Sequence, residues 1–400
     1  MKWLTIIGMG EDGYAGLSAR ARLKLAEAEV IVGSSRLLAF LPDTKAERHE
    51  WPQPFSAVVA RITPMRGRRT VILATGDPLN YGVARKLTEF IPFAEMEIIP
   101  ALGAFSLAAA RLGWSLPDCD TLTLHGRDAA NIESFIQPGA QLLVLTADAT
   151  TIPEVARRLV ARGFGESMIT VLENMGGARE RQSSSPASRV PDTVFSDLNT
   201  LGVHCIAAED AKIYPRLAGL PEDAFRHDGQ ITKREVRAAT LAALSPAPGQ
   251  LLWDVGAGCG SVAIEWMRSA RGCEAIAFES NKTRLNMIAV NADQLGTPRL
   301  KIVPGEAPAA LAGLSPPHAI FIGGGIGDAG VFEACWQALK PGGNLVANTV
   351  TLEGERRLID LQGTHGGELV RMDVATLSHV GPYRALKPRM AVLQWRAQKP

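Results

Sequence analysis

The chain has 400 residues, with 42 Lys plus Arg against 41 Asp plus Glu and a formal net charge of +1. This length supports two or three domains, and 46% hydrophobic with 21% charged residues is an ordinary globular balance. Near-neutrality excludes a global field for nucleic acid, and no apolar run approaches the roughly 20 residues of a membrane span.

Five scattered cysteines (Cys119, Cys205, Cys259, Cys273, Cys335) form no Cys-x-x-Cys pair, which suits reduced thiols in a reducing compartment. The apolar start, Met1–Gly10, is too short for a signal core with a cleavage site. The expectation is a cytoplasmic protein that contacts neither membrane nor nucleic acid. The seven histidines stand in no ligand spacing, so no metal is expected.

Short strand-like runs alternate with helical patterns. In the first half they are Leu4–Ile7, Val30–Val32, Val71–Ala74, Glu97–Ile99, Thr121–Leu124, Leu142–Leu145 and Ile169–Leu172. In the second they are Leu251–Val255, Glu274–Phe278, Lys301–Val303, Ala319–Ile322 and Asn344–Asn348, with Ala391–Trp395 closing the sheet. This alternation predicts an α/β protein with mainly parallel sheets. Ser183–Ser188 reads as a surface loop, because Leu198–Ala207 still continues the first domain as a helix end plus strand. Glu209–Gln230 is rich in Pro and charge without a sustained period. The expected division is a first domain over 1–208, a linker over 209–228 and a second domain over 229–400.

Four turns carry the signal in the first half. Gly8-Met9-Gly10-Glu11-Asp12-Gly13 follows the first strand, and Gly76-Asp77-Pro78, trailed by Tyr81-Gly82, follows a buried one. Pro100–Ser106 precedes a small-residue helix, and Glu173-Asn174-Met175-Gly176 follows a late strand with Glu180 behind it. Singly each is a plain turn. In this order and spacing they resemble the tetrapyrrole methylase family, over roughly residues 2–207. The resemblance implies a two-lobed fold that binds S-adenosylmethionine (SAM) in a cleft. Gly76, Asp77, Pro78 and Ala104, Phe105, Ser106 would line that cleft, and Gly10 would border the substrate. The chain departs from the pattern at Ala101, where many members have glycine, and at Gly10–Gly13, where many have Gly-Pro-Gly. Arg127, in His125-Gly126-Arg127, is either a surface turn residue or a bidentate partner for a substrate carboxylate.

The stretch Leu251–Glu265, LLWDVGAGCGSVAIE, is a buried strand, a turn with glycines at alternate positions, and an apolar helix start. Alternate glycines permit a sharp turn and close approach of a ligand. A second strand ends in Glu279, where a carboxylate is placed to hold a ribose. The spacing is one residue short of Gly-x-Gly-x-x-Gly, with Ser261 at the third glycine position. An unliganded αβ turn and an NAD-dependent dehydrogenase remain alternatives. The order Asp254-Val-Gly-Ala-Gly-Cys-Gly resembles motif I of the class I SAM methyltransferases. That resemblance implies that Gly256, Ala257, Gly258, Cys259 and Gly260 cradle SAM and that Glu279 takes both ribose hydroxyls.

Thr232-Lys233-Arg234-Glu235 fits a helix capping box. Followed by the glycine turn, it also resembles the decarboxylating precorrin methyltransferases over about 229–397. Thr232 would then touch SAM, Gly305-Glu306-Ala307 would border the adenine, and Gly323 and Gly324, with Lys233, would face substrate. The Gly-Gly-Gly at that strand end replaces the Asn/Asp-Pro-Pro-Tyr of nucleic-acid amino-methyltransferases. Glu265 is a candidate general acid by position, or a structural carboxylate. Lys233, Arg234, Arg237, Arg384, Lys387 and Arg389 are candidate partners for substrate carboxylates. Trp266 and Trp336 read as core.

The two halves in series resemble the fused decarboxylating precorrin C-methyltransferases. This implies two SAM sites per chain, methylation of a precorrin at C5 and C15, loss of the ring C acetate carboxyl as carbon dioxide to give precorrin-8, and a place in cobalamin biosynthesis. It also implies a homo-oligomer, a tetramer through the C-terminal domain. A SAM-binding regulatory protein without turnover remains an alternative.

Overall fold

The computed structural model describes residues 2–52 and 57–400. The chain forms two compact units, one of Met1–Ala129 with Gln137–Lys212, the other of Ala130–Ile136 with Ile213–Pro400.

In the first unit, β1 (Leu4–Met9), β2 (Val30–Gly33), β3 (Glu47–Glu50), β4 (Thr70–Thr75) and β5 (Met96–Ile99) form one sheet in the order β3-β2-β4-β1-β5. Every ladder in it is parallel. All six residues of β1 are buried, as a strand covered on both faces requires. Alternate residues feed two cores: Leu4, Ile6, Val30, Val32 and Ile72 one, Ile7, Met9, Ile31, Val71 and Leu73 the other. The second sheet contains β6 (Asp120–Thr123), β7 (Gln141–Leu145), β8 (Met168–Glu173), β9 (Arg181–Pro186) and β10 (Asn199–His204), ordered β6-β7-β10-β8-β9. Here only β6–β7 is parallel; the other three ladders run antiparallel. The expectation of mainly parallel pairing fails for this sheet. The serine-rich stretch expected as a loop is its edge strand β9, where Ser184 Oγ meets Thr170 Oγ1 at 2.9 Å. Helix α5 (Ala104–Leu112) packs Phe105, Ala108 and Ala109 against β7 and β8.

In the second unit, α7 (Arg234–Leu244) precedes a glycine turn that joins β11 (Leu251–Val255) to α8 (Ser261–Ser269). Then come β12 (Glu274–Glu279), α9 (Lys282–Gln294), β13 (Lys301–Pro304), β14 (Ala319–Ile322), α10 (Val331–Ala338), β15 (Asn344–Thr349) and α11 (Leu352–His365). The last strands are β16 (Glu368–Met372), β17 (Ala375–Val380), β18 (Tyr383–Pro388) and β19 (Val392–Gln398). The sheet order is β13-β12-β11-β14-β15-β19-β16, with β17–β18 a separate hairpin. The first five strands are parallel, and β19 and β16 are antiparallel. The strand over Val392–Gln398 therefore does not close the sheet; β16 does. Strand order reverses between β11 and β14, which opens a crevice at their carboxyl ends.

Two local expectations change. The N-cap of α7 is Lys233, without a side-chain cap, so Thr232 and Glu235 form no capping box. The stretch expected as a linker is divided, since from Ile213 onward it belongs to the second unit. Leu220, Ala224 and Phe225 are buried in that unit's core. A piece of earlier chain joins them. Ser134 Oγ lies 3.4 Å from the Gly296 carbonyl, and Arg216 stacks over Phe135 at 4.2 Å. Among the described residues no helix is long and apolar enough to cross a membrane, and all five cysteines are free.

Candidate functional site

In the second unit the turn after β11 places Gly256, Gly258 and Gly260 at φ of 71°, 58° and 80°. A Cβ on Gly256 would stand 3.0 Å from the Gly324 nitrogen, so the turn and the loop after β14 approach backbone to backbone. The tip of β12 locks the turn: Gly256 and Ala257 donate to the Phe278 carbonyl at 3.1 and 3.0 Å. Glu279 Oε2 accepts from Gly258 N at 2.8 Å and Oε1 from Asn281 N at 2.9 Å. The carboxylate is 8% exposed. Behind the turn, Asp254 Oδ2 accepts from Ala263 N at 3.0 Å at the start of α8, and Oδ1 has no partner. Burial, with a smaller push from Glu279, raises Asp254 to about 7.

A cavity of about 790 Å³ opens over this turn, within the usual range for small-molecule sites. Its wall includes Thr232, Lys233, Gly256, Ala257, Gly258, Cys259, Glu279, Gly323 and Gly324, all expected from the sequence. Cys259 is buried and its thiol is pushed up by desolvation, which suits a small spacer. Gly260 stands outside the wall and seats α8, since a Cβ there would meet Ile288 at 3.0 Å. Gly305, Glu306 and Ala307 are also outside it; Gly305 N donates to the Glu279 carbonyl at 3.0 Å, and Ala307 packs on the core. The pocket volume, the glycine cradle and a carboxylate at the strand tip fit a nucleoside with vicinal hydroxyls.

The sequence reading missed Gly229–Ile231, Arg284, Asn348–Val350, Thr376 and Met390 in the same wall. The one signal for Asn348 is an amide at the end of an apolar strand. It is held by Thr240 at 2.9 Å and Gln394 at 2.8 Å. Of the candidate cations, Lys233, Lys387 and Arg389 line the cavity, whereas Arg234 and Arg384 do not. Arg237 is fully buried and pairs with Glu265 at 2.7 Å. Glu265 also accepts from Gly219 N at 2.7 Å and Leu220 N at 2.9 Å, is 1% exposed, and lies outside the cavity wall. Of the two readings of Glu265, these contacts favour the structural carboxylate: from α8 it ties the entry segment before α7 (Gly219–Leu220) to the Arg237 guanidinium of α7.

In the first unit the loops after β1, β4 and β5 converge. A Cβ on Gly8 would lie 1.9 Å from the Gly76 carbonyl oxygen and 2.5 Å from Ala101 N. Gly10, Gly76 and Ala104 line a cavity there with Glu11 and Thr75. Its volume of about 60 Å³ is far below that of a nucleoside. Asp77 Oδ1 accepts from Leu79 N at 2.9 Å, Pro78 and Phe105 are buried, and Ser106 is exposed on α5. None of these four lines the cavity. Arg127 lies 5.4 Å over the Tyr81 ring, which meets Phe105 edge-on at 6.1 Å. An ion pair of Glu11 with Arg36 at the same cleft was not foreseen.

The family model of tetrapyrrole (corrin/porphyrin) methylases matches residues 3–191, and that of the precorrin methyltransferase domain matches residues 223–399. A precorrin-6Y C(5,15)-methyltransferase [decarboxylating] of a Sinorhizobium species is 46% identical over 394 residues, which cover 98% of this chain and 95% of that one. A protein of the same name from Mycobacterium tuberculosis (strain CDC 1551) is 38% identical over 400 residues, 99% and 100% of the two chains. A cobalt-precorrin-7 C(5)-methyltransferase of Salmonella typhimurium is 32% identical over 189 residues, 47% of this chain and 92% of that one. With both halves matched and the identity running nearly end to end, the chain belongs to the precorrin-6Y C(5,15)-methyltransferases (decarboxylating).

Proposed function

We propose that each unit carries its own SAM site, the first for methylation at C5 and the second for methylation at C15 with loss of the ring C acetate carboxyl, giving precorrin-8. The activity is that of the family: SAM-dependent C-methylation of precorrin-6Y at C5 and C15 with decarboxylation, in cobalamin biosynthesis. Family membership replaces both the dehydrogenase and the non-reacting SAM sensor. The observation that carries the second-unit site is the 790 Å³ cavity over the glycine turn, with Glu279 at the tip of β12; the first-unit site rests on the family match over residues 3–191.

SAM, when bound, supplies a methyl group already activated on its sulfonium. Glu279 would hold the ribose, the Gly256–Gly258 backbone would sit against the donor, and Thr232 would close it from the α7 side. Lys233, Arg284, Lys387 and Arg389 surround the cavity with positive charge suited to a polyacidic ring. The chain's contribution is then to hold the ring carbon in line with the methyl, a positional effect that supplies several kcal/mol. In the first unit the close approach of Gly8 to Gly76 suits a backbone-lined cleft, and its 60 Å³ must widen on binding.

The hairpin β17–β18 leaves Leu377, Val380, Tyr383 and Leu386 between 63% and 76% exposed. Such an apolar surface supports a homo-oligomer, a tetramer through the second unit. Five free cysteines support a cytoplasmic location. Incubation with precorrin-6Y and methyl-labelled SAM, read by mass, is expected to show two methyls gained and one carbon dioxide lost. Calorimetry with S-adenosylhomocysteine is expected to give two equivalents per chain; one equivalent defeats the two-site reading.

A further inference from the structure

Four cations line the large cavity, and their pairing is uneven. Arg284 is held by Asp228 at 2.8 Å and by Gln230 at 2.6 Å. Lys387 has no ion-pair partner among the described residues. Lys233 and Arg389 share one acid: Glu222 Oε2 takes Lys233 Nζ at 2.8 Å, and Oε1 takes the Arg389 guanidinium at 3.3 Å. Glu235 gives Arg389 a second partner at 3.4 Å. Glu222 lies on the entry segment, Lys233 at the start of α7, and Arg389 on the strap between β18 and β19, 167 residues from Glu222. One carboxylate thus bridges two cavity-wall cations from distant parts of the chain.

Resting on the reading of this cavity as a site for a polycarboxylate ring, we propose that Glu222 is an internal stand-in for a substrate carboxylate, and that a ring carboxylate displaces it at Lys233 and Arg389. The bridge has the geometry that an incoming carboxylate would make. Its members are part exposed, with side chains 37%, 26% and 32% accessible for Lys233, Glu222 and Arg389. Pairs of this exposure hold weakly, so exchange of one carboxylate for another is easy. Both cations stay paired before and after, and the displaced Glu222 carboxylate, on a part-exposed side chain, turns to solvent. A ligand without a carboxylate cannot take the place of Glu222, because breaking the bridge would leave Lys233 unmatched and Arg389 with Glu235 alone. The resident acid therefore selects against neutral rings. Met390 lies on the same strap and Lys387 near the end of β18 just before it, so displacement of Glu222 also frees that wall to adjust.

The test uses the full chain and uroporphyrin, an octacarboxylic ring, titrated by fluorescence quenching. Glu222→Gln is expected to bind it roughly two- to fivefold tighter, the worth of one part-exposed pair, with S-adenosylhomocysteine affinity and melting temperature held. Glu222→Asp, one methylene shorter, is expected to give a smaller gain. In a Lys233→Gln/Arg389→Gln background the gain is expected to vanish. Unchanged or weaker binding by Glu222→Gln overturns the proposal, and so does a gain that persists without the two cations, which would mark a remote field effect. Uroporphyrin that binds wild type but ignores Glu222 defeats this inference alone. Failure of wild type and all variants to bind it, with S-adenosylhomocysteine still bound, defeats the reading of the site and this inference together.

Discussion

Glu279 shapes the glycine turn from outside it, and Gly258, on the cavity wall, holds a φ of 58° that L side chains rarely adopt, so a long side chain there is strained and enters the cavity. Gly258→Arg is therefore expected to abolish C15 methylation while the C5 reaction continues, which product mass separates. Glu265 makes the opposite case. Its three donors include a guanidinium with no exposed surface. Glu265→Gln weakens the partner of a buried charge, and breaking such a pair costs about 3–5 kcal/mol. A lower melting temperature with unchanged turnover per folded molecule is expected; lost turnover at full stability would restore Glu265 as a proton donor. Asp254 carries a pH signature. Raised to about 7, it keeps its proton in the native protein while the unfolded chain releases it above roughly pH 4. Its contribution to stability is whole below that point and is lost as pH rises toward 7. Asp254→Asn cannot titrate, so the melting-temperature advantage of wild type over it is expected to shrink between pH 5 and pH 8. The glycine turn and Glu279 were readable because strand, turn and next strand tip are neighbours in sequence. Asn348, Arg284 and Met390 were not, because chain closure alone brings them to the same wall. The partnership of Glu265 with Arg237 is likewise invisible until two helices pack.

Hydrophobic pattern located the buried strands of both units and the edge strands β5, β6 and β13, but missed the edges β3, β9 and β16. β3 reads Glu-Arg-His-Glu and β9 reads Arg-Gln-Ser-Ser-Ser-Pro, compositions that keep an edge from pairing with other chains. Neither has the apolar period by which a strand is recognised. β17 and β18 were missed for a different reason: their apolar residues face outward, so no core-directed alternation with a buried neighbour exists to detect. Register sets Leu377 opposite Leu386 on one face and Val380 opposite Tyr383 on the other, and in the oligomer proposed above these exposed residues would carry the contact. Leu377→Glu with Tyr383→Glu is expected to shift the assembly to a smaller species in sedimentation, with S-adenosylhomocysteine binding retained; an unchanged sedimentation coefficient would remove the hairpin from the interface.

Two α/β units in series were legible from two separate glycine openings, and the expected end of the first at residue 208 lies near the break after Lys212, but the allegiance of the segment that follows was not legible. The segment after Lys212 is irregular in sequence yet supplies Leu220 and Phe225 to a core. The stretch Ala130–Ile136 carries no mark of belonging to the second unit. A fragment of residues 213–400 lacks Ser134 against Gly296 and Arg268, and Phe135 under Arg216. It is expected to melt a few degrees below the second transition of the full chain, and a peptide of residues 129–137 is expected to recover part of the difference. Equal melting temperatures would show that the returning segment adds nothing. This arrangement also sets a clock on biogenesis. Ser134 leaves the ribosome 162 residues before Gly296, roughly 10–30 s at ordinary elongation speeds of about 5–20 residues per second. Through that interval the early stretch waits without its eventual partner, so slowing translation between those points lengthens the period in which a nascent-chain chaperone can hold it.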